Sequence, residues 1–374
     1  MPNPIEQVAA AGAERGALEA PVFDAHVDAL QRALDLGHDL LTETPGQFDF
    51  ARAERGGLGE VVLACWVGGQ YARNHAAERA AALIEAGHAL CEGSAGGLEL
   101  ITRAEQLDRR SRTSGTCQGV LLGIEGGHAI DASLAKLEQF ADRGVRVMTL
   151  VWNLHLDWIR SSAPNPPPGT PKGLSDFGRQ VVRRMNELGM AVDLSHASAD
   201  AFYEALESSQ APPIVSHSAC AALHDHHRNL TDAQLRELGQ AGGVIGIPFH
   251  PGFLDAAANG EEQRWRREEH YRDLGRQEPT ARHLAQTEWM QATAAPLAIE
   301  RVVDHIEHAL ELAGPACVGL GSDFDGIERG PAGLEDASGY PRLAAAMRSR
   351  GFDSEVIAGV LGDNFRRVLA RVLS

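Results

Sequence analysis

The sequence lacks the cysteine pattern of a disulfide framework or a zinc ribbon. Its five cysteines, Cys65, Cys91, Cys117, Cys220 and Cys317, stand far apart, are odd in number and form no C-x-x-C pair, which fits a reducing compartment. A basic excess is also missing. Against 34 Lys and Arg stand 51 Asp and Glu, a formal charge of −17, so partnership with nucleic acid or an anionic membrane is disfavoured. No uninterrupted run of about 18 apolar residues suggests a membrane span. Met1 to Ala20 carry Glu6, Glu14 and Glu19 without a basic segment leading into an apolar one, and read as an N-terminal extension rather than a signal peptide. The end Arg371-Val372-Leu373-Ser374 lies inside a helical pattern, without the tail of a lipid-anchor signal. These absences set the expectation of a cytoplasmic protein.

An apolar fraction of 44% over 374 residues is enough for a sizeable core. Apolar runs bounded by turn residues predict strands at Val22–Val27, Val61–Val67, Gly119–Glu125, Val145–Val151, Ala191–Leu194, Pro213–Val215, Gly243–Pro248 and Val318–Gly321. Between them, helical patterns cover Ala76–Glu92, Leu134–Arg143, Ser175–Leu188, Ala199–Glu207, Thr231–Gly239 and Leu297–Leu312, followed by Pro341–Ser349 and Ser354–Leu373. Ser175, Ser198 and Thr231 suit N-caps, and Gly144 and Gly189 suit helix ends. Alternation of this kind implies a parallel sheet, and eight strands imply a single α/β domain over residues 1–374, a closed (β/α)8 TIM-like barrel. Two insertions distort the rhythm, the Pro-rich Ser161–Gly173 after the fourth strand and the charged Pro251–Ala295 after the seventh.

The chemistry stands at the C-terminal ends of these strands, where barrel active sites are assembled. In Phe23-Asp24-Ala25-His26-Val27-Asp28, a strand would point His26 and Asp28 to the same side. Glu125 closes the third strand, Trp152 and Asn153 follow the fourth, His196 the fifth, His217 the sixth and Asp323 the eighth. Singly, each has a bland reading as a structural or surface group; jointly, they form one rim. Three histidines and several carboxylates exceed what one four-coordinate ion needs, so the reading is a two-metal site. Glu125 bridges, with His26 and Asp28 on one ion and His196 and His217 on the other, and Asp323 left to carry a proton. Arg228 suits a clamp on a substrate carboxylate. The preceding His224-Asp225-His226-His227 reads as a solvated loop, His128 as a group outside the ligand set, and Asp325 as a loop or cap residue.

Taken in order, these segments resemble the renal (membrane) dipeptidase family of binuclear zinc peptidases, allied to the amidohydrolase barrels. Gly123-Ile124-Glu125-Gly126-Gly127-His128 is similar to the family's bridging-glutamate segment. Asp193-Leu194-Ser195-His196 and Ser216-His217-Ser218 resemble its later histidine segments, Arg228-Asn229 its carboxylate-binding arginine, and Gly319 to Gly326 its last strand, with Ser322 where Gly is usual. The resemblance implies two zinc ions per chain, a homodimer, and hydrolysis of dipeptides by a metal-bridging hydroxide with tolerance for a C-terminal D-residue. One departure stands out. Val151-Trp152-Asn153 replaces the Thr-His-Asn of the family's vertebrate members, whose histidine binds substrate, and His155 is the nearest substitute. Trp152, Asn153 and His155 are thus expected beside the substrate. A related amidohydrolase acting on N-acyl amino acids or lactones, or a catalytically degenerate metal-binding barrel, stays open.

Overall fold

The computed structural model describes residues 18–72, 74–110, 118–274 and 277–373. Most of the N-terminal extension and Cys117 lie outside the described residues. The strands, all parallel, are β1 (Val22–Val27), β2 (Leu58–Trp66), β3 (Leu98–Leu100), β4 (Gln118–Glu125), β5 (Val145–Thr149), β6 (Ala191–Asp193), β7 (Ile214–Val215), β8 (Val244–Ile247) and β9 (Val318–Leu320). Because β2 pairs with both β1 and β4, and β1 with β9, every strand except β3 joins a closed ring. That ring is the expected (β/α)8 barrel. The unexpected β3 takes the edge of β4 at Gln118–Val120, ahead of the point where β5 joins at Leu122. Three residues reading Leu-Glu-Leu are too few for periodicity to show.

The predicted helices form, with ends fixed by the expected side chains. Ser175, Ser198 and Thr231 accept the N–H of Gly178, Ala201 and Gln234, and Thr231 with Gln234 completes a capping box. Gly144 and Gly189 sit just past their helices at φ of 87° and 63°, where a β-carbon is strained. One expectation fails: the final helix is not continuous. It runs Ser354–Ala358, opens into a π-turn at Gly359–Asp363, and resumes as Asn364–Val372. At Gly362 the chain passes so near the start of β1 that a β-carbon would lie 2.7 Å from the Pro21 carbonyl oxygen.

The last helix seals the barrel at the end where strands begin. Phe365, Val368, Leu369 and Val372 pack on the inward residues Phe23, Ala25, Val62, Leu121, Val147, Ala191, Ile214 and Val244. Phe365 stacks on Phe23 with ring centroids 5.4 Å apart, and the buried Arg366 reaches Glu60 at 2.5 Å. A larger apolar shell joins the outer strand faces to the surrounding helices. The opposite end is left for chemistry. There the insertion after β8 folds into helices Pro251–Leu254, Ala256–Trp265, Glu269–Leu274 and Pro279–Thr293, while Ser161–Gly173 stays a loop. Among the described residues no helix is long and apolar enough to cross a membrane.

Candidate metal centre

A slip in β1 aims His26. From Asp24 to Val27 the strand advances three residues while β2 advances from Val61 to Leu63, and such bulges re-aim side chains beside functional sites. Ala25 faces the barrel interior, and His26, next in the chain, is turned to its mouth. Asp24 points the other way, accepting the Ser322 N–H at 2.9 Å and the Tyr340 hydroxyl at 2.5 Å. Simple alternation along a strand is therefore not why His26 and Asp28 meet. Asp28 lies past the end of β1, and its Oδ2 is 3.5 Å from His26 Nε2.

Glu125, at the end of β4, lies between two groups of ligand atoms. Its Oε2 is 3.6 Å from His26 Nε2, while its Oε1 is 2.9 Å from His196 Nε2 and 3.6 Å from His217 Nε2. The Nε2 atoms of His196 and His217 converge to 3.0 Å. Both rings are held from behind, His196 Nδ1 by Asn153 Oδ1 at 2.9 Å and His217 Nδ1 by Ser216 Oγ at 2.8 Å. Asp323 Oδ1 is 4.0 Å from His26 Nε2. His196 and Asp323 adopt left-handed φ of 65° and 64°, costly for residues with a β-carbon and common where a site dictates side-chain direction.

The electrostatics favour a cation. Burial would lower the His26 pKa, yet Glu125 and Asp28 hold it well above the ordinary range. Burial would raise that of Glu125, yet His26 and His196 hold it well below. Burial pushes His196 down to about 4, with Arg228 adding to the shift, and takes His217 well below its usual value, so both present neutral nitrogen lone pairs. Asp323 is raised well above the carboxylate range by burial, with Asp28 and Glu125 opposing the pull of His26. His26 Nε2 and Asp28 Oδ1 are buried without a hydrogen-bond partner. Ligand atoms of His26, Glu125 and His217, and those of His26, Asp28 and Asp323, each lie within 4.8 Å of one another. The imidazole and carboxylate donors, orphaned and converging, fit divalent metal.

Asp28, Glu125, His196, His217 and Asp323 line a cavity of about 800 Å³ together with Arg228, Trp152 and Asn153. Arg228 is buried, its Nη2 donating to the His217 carbonyl at 3.0 Å and its Nη1 to Ser218 Oγ at 3.3 Å, while Nε has no partner. Its guanidinium lies 5.2 Å from the Phe253 ring centroid, and burial lowers its pKa to about 10 without discharging it. Trp152 meets Trp66 edge to face at 5.3 Å and walls the cavity. Asn153 spends its side-chain oxygen on His196, which makes it a support for a ligand as well as a lining group. His155 does not line the cavity; its ring stands beside the Pro164 backbone in the Pro-rich loop. His226 and His227, read from sequence as solvated loop, do line it, because the loop after β7 folds back and stacks His226 on Phe253 at 4.9 Å. Asp325 is structural, paired with Arg32 at 2.6 Å, and His128 Nε2 bonds the Val67 carbonyl at 2.9 Å.

Sequence reasoning passed over Asp193. Its Oδ1 accepts the Ser195 and Ser216 N–H groups at 3.0 and 2.8 Å, and its Oδ2 the Thr149 and Ser216 hydroxyls at 2.5 and 2.6 Å. The available signal was a carboxylate inside the apolar run Ala191-Val192-Asp193-Leu194, a position that demands partners. Also passed over was the wall made by the long insertion. Glu262 and Arg266 lie 2.6 Å apart, Arg266 and Glu328 3.0 Å, and the Tyr271 hydroxyl bonds Glu328 at 2.8 Å. His250, Glu262 and Glu328 form a third group of possible ligands, but Arg266 already supplies the cation there.

Comparison with known proteins finds matches over most of the chain. Residues 12–373 match the family model described as membrane dipeptidase, peptidase family M19. Dipeptidase 3 of Mus musculus is 30% identical over 360 residues, which cover 94% of this chain and 64% of that protein. Dipeptidase 3 of Homo sapiens is 31% identical over 94% of this chain and 65% of its own length. The chain therefore spans just under two thirds of these curated relatives. Among solved structures, a Rhodobacter sphaeroides metallopeptidase liganded with a phosphinate mimic of the dipeptide L-Ala-D-Ala superposes with a TM-score of 0.77 at 26% identity, covering 94% of this chain and 99% of that one.

Proposed function

Because the chain belongs to the membrane dipeptidase family, peptidase family M19, we propose that it is a metal-dependent dipeptidase. The observation that carries the reading is Glu125, with one oxygen toward His26 and the other toward His196 and His217, in the same cavity as the Arg228 guanidinium. His26, Asp28 and Glu125 would hold one ion and Glu125, His196 and His217 a second. Zinc suits this donor set. When bound, such a pair supplies an acidified water and polarises a carbonyl. Arg228, a fixed planar donor with Nε free, grips the terminal carboxylate of the substrate. Asp323 takes the proton of the attacking water and returns it to the departing amine nitrogen. Trp152 excludes water and adds one indole donor where the family's vertebrate members have an imidazole. Tolerance for a D-residue at the carboxylate end is part of the reading, supported by the ligand of the Rhodobacter neighbour.

The test is an assay of the metal-loaded protein on a panel of L,L and L,D dipeptides and their N-acetylated forms. Turnover of free dipeptides that is lost on acetylation is expected. Silence across the panel defeats the reading. Higher turnover of the acetylated forms transfers the site to N-acyl amino acids, the alternative that Trp152 brings with it.

A further inference from the structure

The helix Pro279–Thr293, last of the insertion, lines the cavity, and two of its polar side-chain atoms there have nothing to bond. His283 Nε2 and Thr287 Oγ1 are buried without a hydrogen-bond partner, and both residues line the cavity. Four positions apart, they share one side of the helix. Thr287 is only 3% exposed. A buried polar atom left unsatisfied costs about 1–3 kcal/mol, so a pair of them on a cavity wall calls for a ligand that completes them. Arg282 lines the same cavity, and no carboxylate among the described residues pairs with it. Glu262 and Glu328 both lie on Arg266, at 2.6 and 3.0 Å, so with Arg272 and Arg282 beside it this wall sets three guanidiniums against two carboxylates. In a chain of net charge −17, the unmatched charge on this wall is positive.

Placement says which part of a substrate arrives there. His283 stands within electrostatic reach of Asp28 and Glu328, from the loops after β1 and β9. Arg228 belongs instead to the His217 side of Glu125, its Nη2 on the His217 carbonyl and its guanidinium over Phe253. With the substrate carboxylate at Arg228 and its amide at Glu125, the amino-terminal residue extends toward the helix. We propose that Arg282, His283 and Thr287 form a subsite for the side chain of that residue and select an acidic one, glutamate or aspartate. The inference rests on the dipeptidase reading and deepens it. A carboxylate there accepts from the Thr287 hydroxyl and from His283 Nε2, and neutralises Arg282.

Glu-Ala against Gln-Ala isolates the charge at constant shape. Two ratios are read: kcat/KM for the pair, and calorimetric affinity for their reduced-amide analogues, which needs no turnover. In the unaltered protein both favour glutamate by about tenfold, the factor that separates a charge-assisted from a neutral hydrogen bond. Arg282→Gln brings both ratios toward one, and Thr287→Val, of equal shape, lowers them. Ratios near one in the unaltered protein overturn the subsite. So do ratios that survive Arg282→Gln, or a larger preference for Ala-Glu over Ala-Gln. If no dipeptide is cleaved while the glutamate analogue still binds more tightly and loses that advantage in Arg282→Gln, the dipeptidase reading fails and the acidic subsite stands.

Discussion

At His217 the position of one ring proton is decided by a carboxylate that never touches the ring. Ser216 donates its hydroxyl proton to Asp193, so its oxygen is left to accept from His217 Nδ1–H, and Nε2 keeps its lone pair for a metal. Asp193→Asn reverses this chain. An amide NH₂ in place of Oδ2 makes Ser216 accept rather than donate, which frees its proton to turn to His217 Nδ1 and leave the ring proton on Nε2; flipping the amide instead sets NH₂ against the Ser195 and Ser216 N–H groups. Metal affinity is expected to fall by about 10–100-fold, the usual cost of losing such a support, as read by chelator competition with the fold intact by circular dichroism. Unchanged affinity would show that His217 is oriented by something else. His26→Ala makes a different point. Since Glu125 offers an oxygen to each half of the site, losing His26 should empty one metal position and also weaken the other; elemental analysis giving one full-strength equivalent would mean that the halves are independent.

The elements explain what was legible in the sequence. Strand ends and N-caps were readable because burial and capping write local residue patterns, as at Thr231 with Gln234. The site residues were readable because a barrel brings strand ends together whatever lies between them. The bulge in β1, the left-handed turns at His196 and Asp323 and the π-turn at Gly359–Asp363 were not, because each is imposed by packing against distant chain. His305 belongs to this class. It sits inside the helix Glu300–Ala313, fully buried, with Nδ1 accepting the Cys220 N–H at 3.1 Å and Nε2 donating to the Leu254 carbonyl at 2.9 Å. It thus ties the loop after β7 and the start of the insertion to one helix, and only the neutral ring can do both. Burial lowers its pKa from 6.5 to about 4. Between those values the unfolded chain takes up a proton that the folded one refuses, so stability is full above pH 6.5, falls as pH drops, and stops falling below pH 4. His196 and His217, also lowered, add the same sign and His26, raised, the opposite one, so the variant isolates the share of His305. His305→Gln can keep both bonds without titrating, and in urea melts at pH 7 and pH 5 it should lose about 2 kcal/mol less than the unaltered protein, some 1.36 kcal/mol for each pH unit below 6.5. Equal losses would show that the ring is not held neutral.

For the whole molecule, the barrel divides its labour between two ends. The mouth gathers orphaned polar atoms, left-handed residues and buried like charges, each a cost to folding. The other end is packed by the last helix, where Phe365 is fully buried on Phe23 and lies so close to β9 that a β-carbon at Gly319 would sit 2.5 Å from its ring. No larger residue fits at Gly319 without moving that ring, so the plug and the strand are matched to each other. A site built from strained parts needs a scaffold with stability to spare, and total stabilities run only to about 5–15 kcal/mol. Phe365→Ala removes an aromatic ring from a rigid interior and should cost about 3–5 kcal/mol in urea unfolding. The ligands at the mouth share no contact with this ring, so metal affinity measured well below the unfolding transition should stay within about twofold, because distant sites add nearly independently. A large loss of metal affinity at undiminished stability would reverse the assignment, making the plug a part of the site rather than its foundation.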